Sequence, residues 1–225
     1  MNYEEHFDQS AQIRSNHWNS IGNLHQDVIT HLINPAFMGG PESPSTRQAF
    51  VIVDTPSGTI IASDGLSDPY NDFDENPDNQ AYNGVGCEFY IECNENLGSF
   101  DQIKSSWQFT VAYQAAQLAA GNPNIASIIE ENMYVSTELY HCTVPASFLN
   151  EHERVGVLLG LSSKQIPAQL ELTLETIRLV NVTLLTKEEL DYINANGSEG
   201  RMEIAKKLEE LPTAGKSFLE RKSVV

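Results

Sequence analysis

Two periodicities alternate along this chain. Phe50-Val-Ile-Val53 and Thr59-Ile-Ile-Ala62 are short β-branched runs on either side of Asp54-Thr-Pro-Ser-Gly58, and a Pro/Ser/Gly turn between such runs predicts a β-hairpin. Gly86-Cys-Glu-Phe-Tyr-Ile-Glu-Cys93 reads as a third strand. Its period of two sets Glu88, Tyr90 and Glu92 on the face opposite Cys87, Phe89, Ile91 and Cys93. Further strands are predicted at 133–139, 155–161 and 177–185. A 3.6 period takes over at 101–120, where Ile103, Trp107, Thr110/Val111, Gln114 and Leu118 share a helix face that stops at Gly121-Asn-Pro123. Thr186-Lys-Glu-Glu189 is a capping box opening a helix to about Asn194; Gly197 breaks it, and 199–211 forms a last amphipathic helix before Pro212. Nearer the start, Ile21, Leu24, Val28 and Leu32 have near-helical spacing, and Asn34-Pro35 through Pro44 ends any regular element.

Strands, a central helix, more strands and then two helices do not make a strict βαβ alternation. The order predicts an α+β fold, a central mixed β-sheet flanked by helices in an α/β/α-like sandwich. Residues 1–45 read as a helical or irregular extension, 46–195 as the main domain, and 196–225 as a C-terminal helix and tail packed on that domain. No internal repeat is visible.

With 225 residues and 40% hydrophobic positions, the chain can bury a sizeable core and is not a disordered chain. Its 13 basic against 31 acidic residues give a formal charge of −18. That balance repels phosphate backbones, so a broad basic face for nucleic acid is excluded. No apolar run approaches the ~20 residues that cross a bilayer, and the opening Met-Asn-Tyr-Glu-Glu-His has no signal-like core, so a cytoplasmic protein without membrane partners is expected. Cys87, Cys93 and Cys142 are an odd set without a C-x-x-C pair, read as reduced thiols, the first two as small core residues. Without a secretory route, the sequons at Asn181 and Asn196 are idle.

Several chemistries fail on their spacing. Thr213-Ala-Gly-Lys-Ser217 echoes the end of a phosphate-binding loop, but Glu210 stands where the leading glycine belongs and the stretch follows a helix. Gly84-Val-Gly86 lacks the third glycine of a dinucleotide fingerprint and enters a strand. The histidines make no H-x-x-x-H pair, and His141 beside Cys142 in a strand would point to the opposite face. Asp64, Asp68, Asp72, Asp74, Glu75 and Asp78 suggest calcium, but Pro77 and the missing terminal Glu spoil the ligand spacing; a solvated acidic loop is expected. No cofactor, metal or catalytic residue is assigned.

One stretch is more specific. Ser63-Asp-Gly-Leu-Ser-Asp-Pro-Tyr70, followed by Gly84-Val-Gly-Cys-Glu-Phe-Tyr-Ile-Glu92, resembles the paired signature of the Suppressor of fused domain family. Val155-Gly-Val-Leu-Leu-Gly160 and Ile177-Arg-Leu-Val-Asn-Val-Thr-Leu-Leu-Thr-Lys-Glu-Glu-Leu190 are similar to its bacterial members. The resemblance covers roughly 45–195 and implies a non-enzymatic protein-binding module. Its animal member grips a peptide segment of a transcription factor, with a second domain and a long acidic insertion not seen here. Bacterial members are interpreted as immunity proteins that neutralise polymorphic toxins, and the −18 charge suits fast association with a basic toxin domain. The alternatives are an intracellular regulator or scaffold with a cellular partner and, third, an enzyme with an unrecognised site. Two roles stand open for Glu88: a buried carboxylate that orders the 64–70 turn, or part of an acidic surface with Asp64, Asp68 and Glu92 that receives a basic partner. The candidate partner-binding residues are Asp64, Asp68, Tyr70, Asp72, Asp74, Glu88, Tyr90 and Glu92.

Overall fold

The predicted hairpin is the pivot of the sheet. In the structure, a computed structural model that describes residues 1–31, 35–45 and 47–225, Thr55 and Gly58 face each other across Pro56-Ser57. Before it come α1 (Tyr3–Ile21), β1 (Asn23–Leu24) and β2 (Ile29–Thr30); the hairpin itself is β3 (Ala49–Thr55) and β4 (Gly58–Asp64). Then follow β5 (Cys87–Cys93), α2 (Phe100–Lys104), α3 (Trp107–Ala120), α4 (Ile125–Asn132) and β6 (Val135–Leu139). The chain ends through β7 (Val155–Leu159), β8 (Gln169–Glu171), β9 (Thr176–Leu184), α5 (Lys187–Glu209) and β10 (Lys216–Ser217). Among the described residues the strands join in one ten-stranded sheet, ordered β1-β3-β4-β5-β9-β7-β6, with β2 on β3, β8 on β9 and β10 on β5. β5 pairs parallel with β9 and β10 and the other pairs are antiparallel, so the sheet is mixed and the α+β prediction holds.

Helices cover both faces. Phe50, Ile52, Ile61, Phe89, Ile91, Val157 and Val182 pack against Val111, Ala115 and Ala119 of α3 on one side. On the other, Trp18 of α1 meets Val51, Val53, Ile60 and Tyr90, while Leu158 packs with Ile193 and Ile204 of α5. The central strand β5 therefore has no solvent face, and all seven of its residues are buried.

Three local departures have identifiable causes. The run Ile21, Leu24, Val28 is not a helix: α1 ends at Ile21 and Leu24 lies in β1, while Leu32 is outside the described residues. The helix at 101–120 is two helices, because Ser106 turns back to cap the second, accepting from the Phe109 amide at 3.1 Å and donating to the Ile103 carbonyl at 2.7 Å. α4 has no counterpart in the sequence reading; its buried positions Ile125 and Ile129 span little more than one turn, too few to register as a period. The Thr186 capping box forms as predicted, with reciprocal bonds of 3.3 and 2.9 Å to Glu189, and Gly197 (φ 60°) kinks α5 where the break was expected. Lys216 and Ser217, from the phosphate-loop echo, are strand residues, Lys216 donating to the Ser57 carbonyl at 2.8 Å.

Candidate functional site: a buried ionic turn beside an acidic groove

β4 ends at Asp64, and the chain must reverse at once. Gly65 does this at φ +140°, where an added Cβ would lie 2.0 Å from the Arg47 carbonyl oxygen. The reversal aims the Gly65 and Ser67 amides at Glu88 on β5, at 3.0 and 2.9 Å from Oε1. The Ser67 hydroxyl adds a third bond at 2.6 Å, and the Ser63 hydroxyl donates to the other carboxylate oxygen. Glu88 is thus the buried organiser of the turn, the first of the two roles open to it.

The turn's carboxylates are neutralised from an unexpected direction. Arg14, on α1 and 1% exposed, places Nε 2.7 Å from Asp64 and a terminal nitrogen 2.5 Å from Asp68, and donates to the Ser67 hydroxyl at 3.2 Å. Arg47 reaches the second oxygen of Asp64 at 2.5 Å, and Ser45 donates to Asp68 at 2.8 Å. Burial works against the Arg14 charge, but Asp64, Asp68 and Glu88 outweigh it and hold the guanidinium above its ordinary pKa. Burial pushes the Glu88 carboxyl up, with Arg14 opposing and Asp64 adding to the rise. Asn83 ties the far side together, donating to Ser10 on α1 and to the Ser67 carbonyl, both at 3.2 Å, and accepting from the Leu174 and Glu175 amides.

The eight predicted residues separate accordingly. Asp64, Asp68 and Glu88 meet in this network. Tyr90 packs on Trp18 at 6.1 Å, and Glu92 accepts from Ser163 and Gln165, each at 2.8 Å. These five are between 0% and 3% exposed, so they form no acidic surface. The correction has a plain cause: period-two alternation identifies two faces of β5 but not that α1 and the 163–172 segment cover the second. Tyr70 is half-buried, and Asp72 and Asp74 are exposed.

Tyr70 and Asp72, but not Asp74, border a groove between the acidic loop and the α3–α4 turn. Two adjoining cavities of about 410 and 400 Å³ share Tyr70, Asn79, Val85 and Pro123. The first runs on to Asp72 and Glu42, the second to Tyr82, Ala126 and Glu175. Hydrogen bonds from Asn79 at 2.7 Å and Asn76 at 3.2 Å hold Asp72 below the usual carboxylate range, so this end is negative at neutral pH. At the other end Glu175 accepts from the Asn83 amide at 2.7 Å, its carboxyl raised by burial. Burial, then Glu175 and Asp72, raises the Tyr70 phenol, which stays protonated and able to donate. Among the described residues, the lining holds no histidine, cysteine, lysine or arginine. A lining of mixed polarity, with Val85, Ala120, Pro123 and Ala126 among polar side chains and acids at both ends, suits an extended segment carrying basic side chains. Among the described residues, no group of three or more His, Cys, Asp or Glu side chains is arranged to hold a metal.

Sequence reasoning passed over Arg14, Arg47, Asn83, Tyr82 and Glu175. Arg14 had a usable signal: Asn2 and Glu5 form a capping box (2.9 and 3.0 Å), and His6, Ser10, Arg14 and Trp18 recur every four residues on the buried side of α1. The stripe is mostly polar, so a search for apolar periodicity misses it.

No protein-family model matches the chain, and no curated relative matches it in sequence. Its fold does match solved structures. A chain of the Sufu–Fu complex superposes with a TM-score of 0.51 at 12% identity, over 99% of this chain and 91% of that one. Drosophila Suppressor of Fused gives 0.52 at 12% identity, covering 97% of this chain, which spans half the length of that protein. The fold is that of Suppressor of fused.

Proposed function

We propose that this chain is a protein-binding module of the Suppressor of fused type, working by stoichiometric association and without catalysis in the cytoplasm. Its partner is a basic toxin domain, which it neutralises as an immunity protein. The groove beside the Suppressor of fused turn carries this reading, since it sets a lining of mixed polarity between Asp72 and Glu175 on a chain of charge −18. An acidic inhibitor meets a basic enzyme quickly and competes with its polyanionic substrate. A second reading, an intracellular regulator, is supported by the likeness to a chain crystallised as the Sufu–Fu complex.

Affinity capture from the source organism's lysate at low and high salt tests the proposal. One stoichiometric basic partner containing a toxin domain is expected; several unrelated partners that wash off with salt overturn it. Asp68 is buried against Arg14 and belongs to the fold, whereas Asp72 and Asp74 are exposed. Changing Asp72 and Asp74 to Asn is expected to slow association several-fold at low salt while the melting temperature stays unchanged. An unchanged on-rate removes them from the encounter surface.

A further inference from the structure

On the sheet face that α3 covers, four elements enclose an aromatic corner. The β2–β3 register sets Ile29 opposite Phe50, and both are buried, at 6% and 4% exposure. One turn apart on α3, Phe109 and Tyr113 fall on the same helix face. Their rings lie 25° from parallel with centres 6.3 Å apart, which makes a slab. Phe50 stands at 79° to Phe109, 5.3 Å away, and closes one end; the His31 ring meets Tyr113 at 5.1 Å. Lys104, the exposed last residue of α2, completes the lining of a cavity of about 230 Å³. The cavity shares no described residue with the groove.

Charge decides what such a corner takes. A box of rings can hold a cation over its faces or a flat apolar ring against them. A cation needs negative charge nearby. Among the described residues no carboxylate lines the cavity, although the chain carries 31 acidic residues against 13 basic ones. What the cavity does have is the Lys104 ammonium. Among the described residues that group joins no ion pair and donates no hydrogen bond, and it sits 5.9 Å from the centre of the Phe100 ring. Burial lowers the pKa of His31 and raises that of Tyr113, so at neutral pH the imidazole is uncharged and the phenol keeps its proton. A positive charge therefore stands beside an apolar wall. The net −18 of the chain does not cancel it, because physiological salt screens charges more than about 8 Å apart.

We propose that this corner is a small-molecule site for a flat aromatic monocarboxylate. The ring lies against the Phe109–Tyr113 slab and Phe50, and the carboxylate pairs with Lys104. The site is independent of the groove and of the protein-binding reading.

The probe is 2-naphthylacetate at physiological salt, with 2-naphthylacetamide and 2-naphthylmethyl-trimethylammonium as neutral and cationic controls. Binding is followed by NMR on the full chain, through the Ile29 methyl signals and their Overhauser contacts with the naphthyl protons. The carboxylate is expected to saturate with a Kd of about 1 mM or below, as its few atoms allow, and to bind about threefold tighter than the amide. Lys104→Met, at an exposed position, is expected to keep the parent melting curve and to erase that difference. Tyr113→Ala is expected to weaken acid and amide alike by at least about threefold. No saturation by about 10 mM, saturation without contacts to Ile29, or a control that binds as tightly as the acid overturns the proposal. So does a preference for the acid that survives Lys104→Met. A protein C-terminus ending in an aromatic residue offers the same ring and carboxylate, so acetyl-Gly-Gly-Trp is the last arm. Tighter binding of that peptide at Ile29 than of naphthylacetate gives the corner to a protein tail and overturns the small-molecule site.

Discussion

Arg14→Met is the sharpest perturbation this fold offers. Methionine preserves much of the apolar stem while removing the guanidinium that Asp64, Asp68 and Ser67 share. Asp64 keeps Arg47, and among the described residues Asp68 keeps the Ser45 hydroxyl, while Glu88 loses the cation 3.9 Å away. All three acids are at most 3% exposed, so water cannot replace the lost partner. Removing one member of a buried ion pair costs about 3–5 kcal/mol, against a total stability of about 5–15 kcal/mol for a typical domain. At about 2–4 °C per kcal/mol for a chain of this size, the melting temperature should fall by about 6–20 °C. Urea unfolding followed by circular dichroism gives the free energy, and hydrogen exchange shows whether α1 loses protection first. Adding Asp68→Asn should recover part of the loss, because it removes the stranded charge. A stability within about 1 kcal/mol of the parent, with α1 still protected, would refute the claim that Arg14 holds the turn. The exposed Lys187–Asp191 pair, as short at 2.6 Å, is the control: solvent screens it and its loss should leave the melting curve in place.

Burial lowers the pKa values of His6, His17 and His31, so across the range just below 6.5 the unfolded chain binds protons the native state refuses. Stability should therefore fall as the pH drops from 7.5 to 5.5. Thermal melts across that range should show a declining midpoint, flattened by His6→Gln with His17→Gln; a rising midpoint would contradict the burial of these rings. Glu88 and Glu175, whose carboxyls are raised, run the other way: their contribution is present below the ordinary carboxylate range and lost as the pH rises through their native values. Gly65→Ala adds a contact at 2.0 Å to the strain of φ +140°, whereas Gly197→Ala meets nothing within 4 Å at φ +60°. Gly65→Ala should lower the melting temperature well beyond Gly197→Ala, and equal effects would show that the Arg47 carbonyl can move aside.

What could be read from the sequence was whatever had a local cause. The β3–β4 hairpin follows from a turn between β-branched runs, and the Thr186 box from residues three apart. The turn at Gly65 and its link to Glu88 were visible because glycine and a strand carboxylate announce themselves in a short window. The burial of that turn was not, since it depends on Arg14, fifty positions before Asp64. Tyr90 and Glu92 look like the wet side of a strand until α1 and Ser163 are placed over them. Alternation reports that a strand has two sides; only the full topology reports how many of them see water.

That distinction bears on how binding data for this molecule must be interpreted. Asp68, held by Arg14, lies two residues before Tyr70, which forms a wall of the groove. Asn83, bonded to Ser10 on α1, sets the backbone of Glu175 at the groove's far end. The N-terminal helix thus clamps both walls through polar contacts without itself lining the groove. A substitution at Arg14 or Ser10 would weaken a partner by loosening those walls, and a scan of affinity alone would credit α1 with contacts it does not make. The two effects separate by temperature: loosened walls recover affinity on cooling toward the stability maximum, while lost contacts at Asp72 stay lost at every temperature.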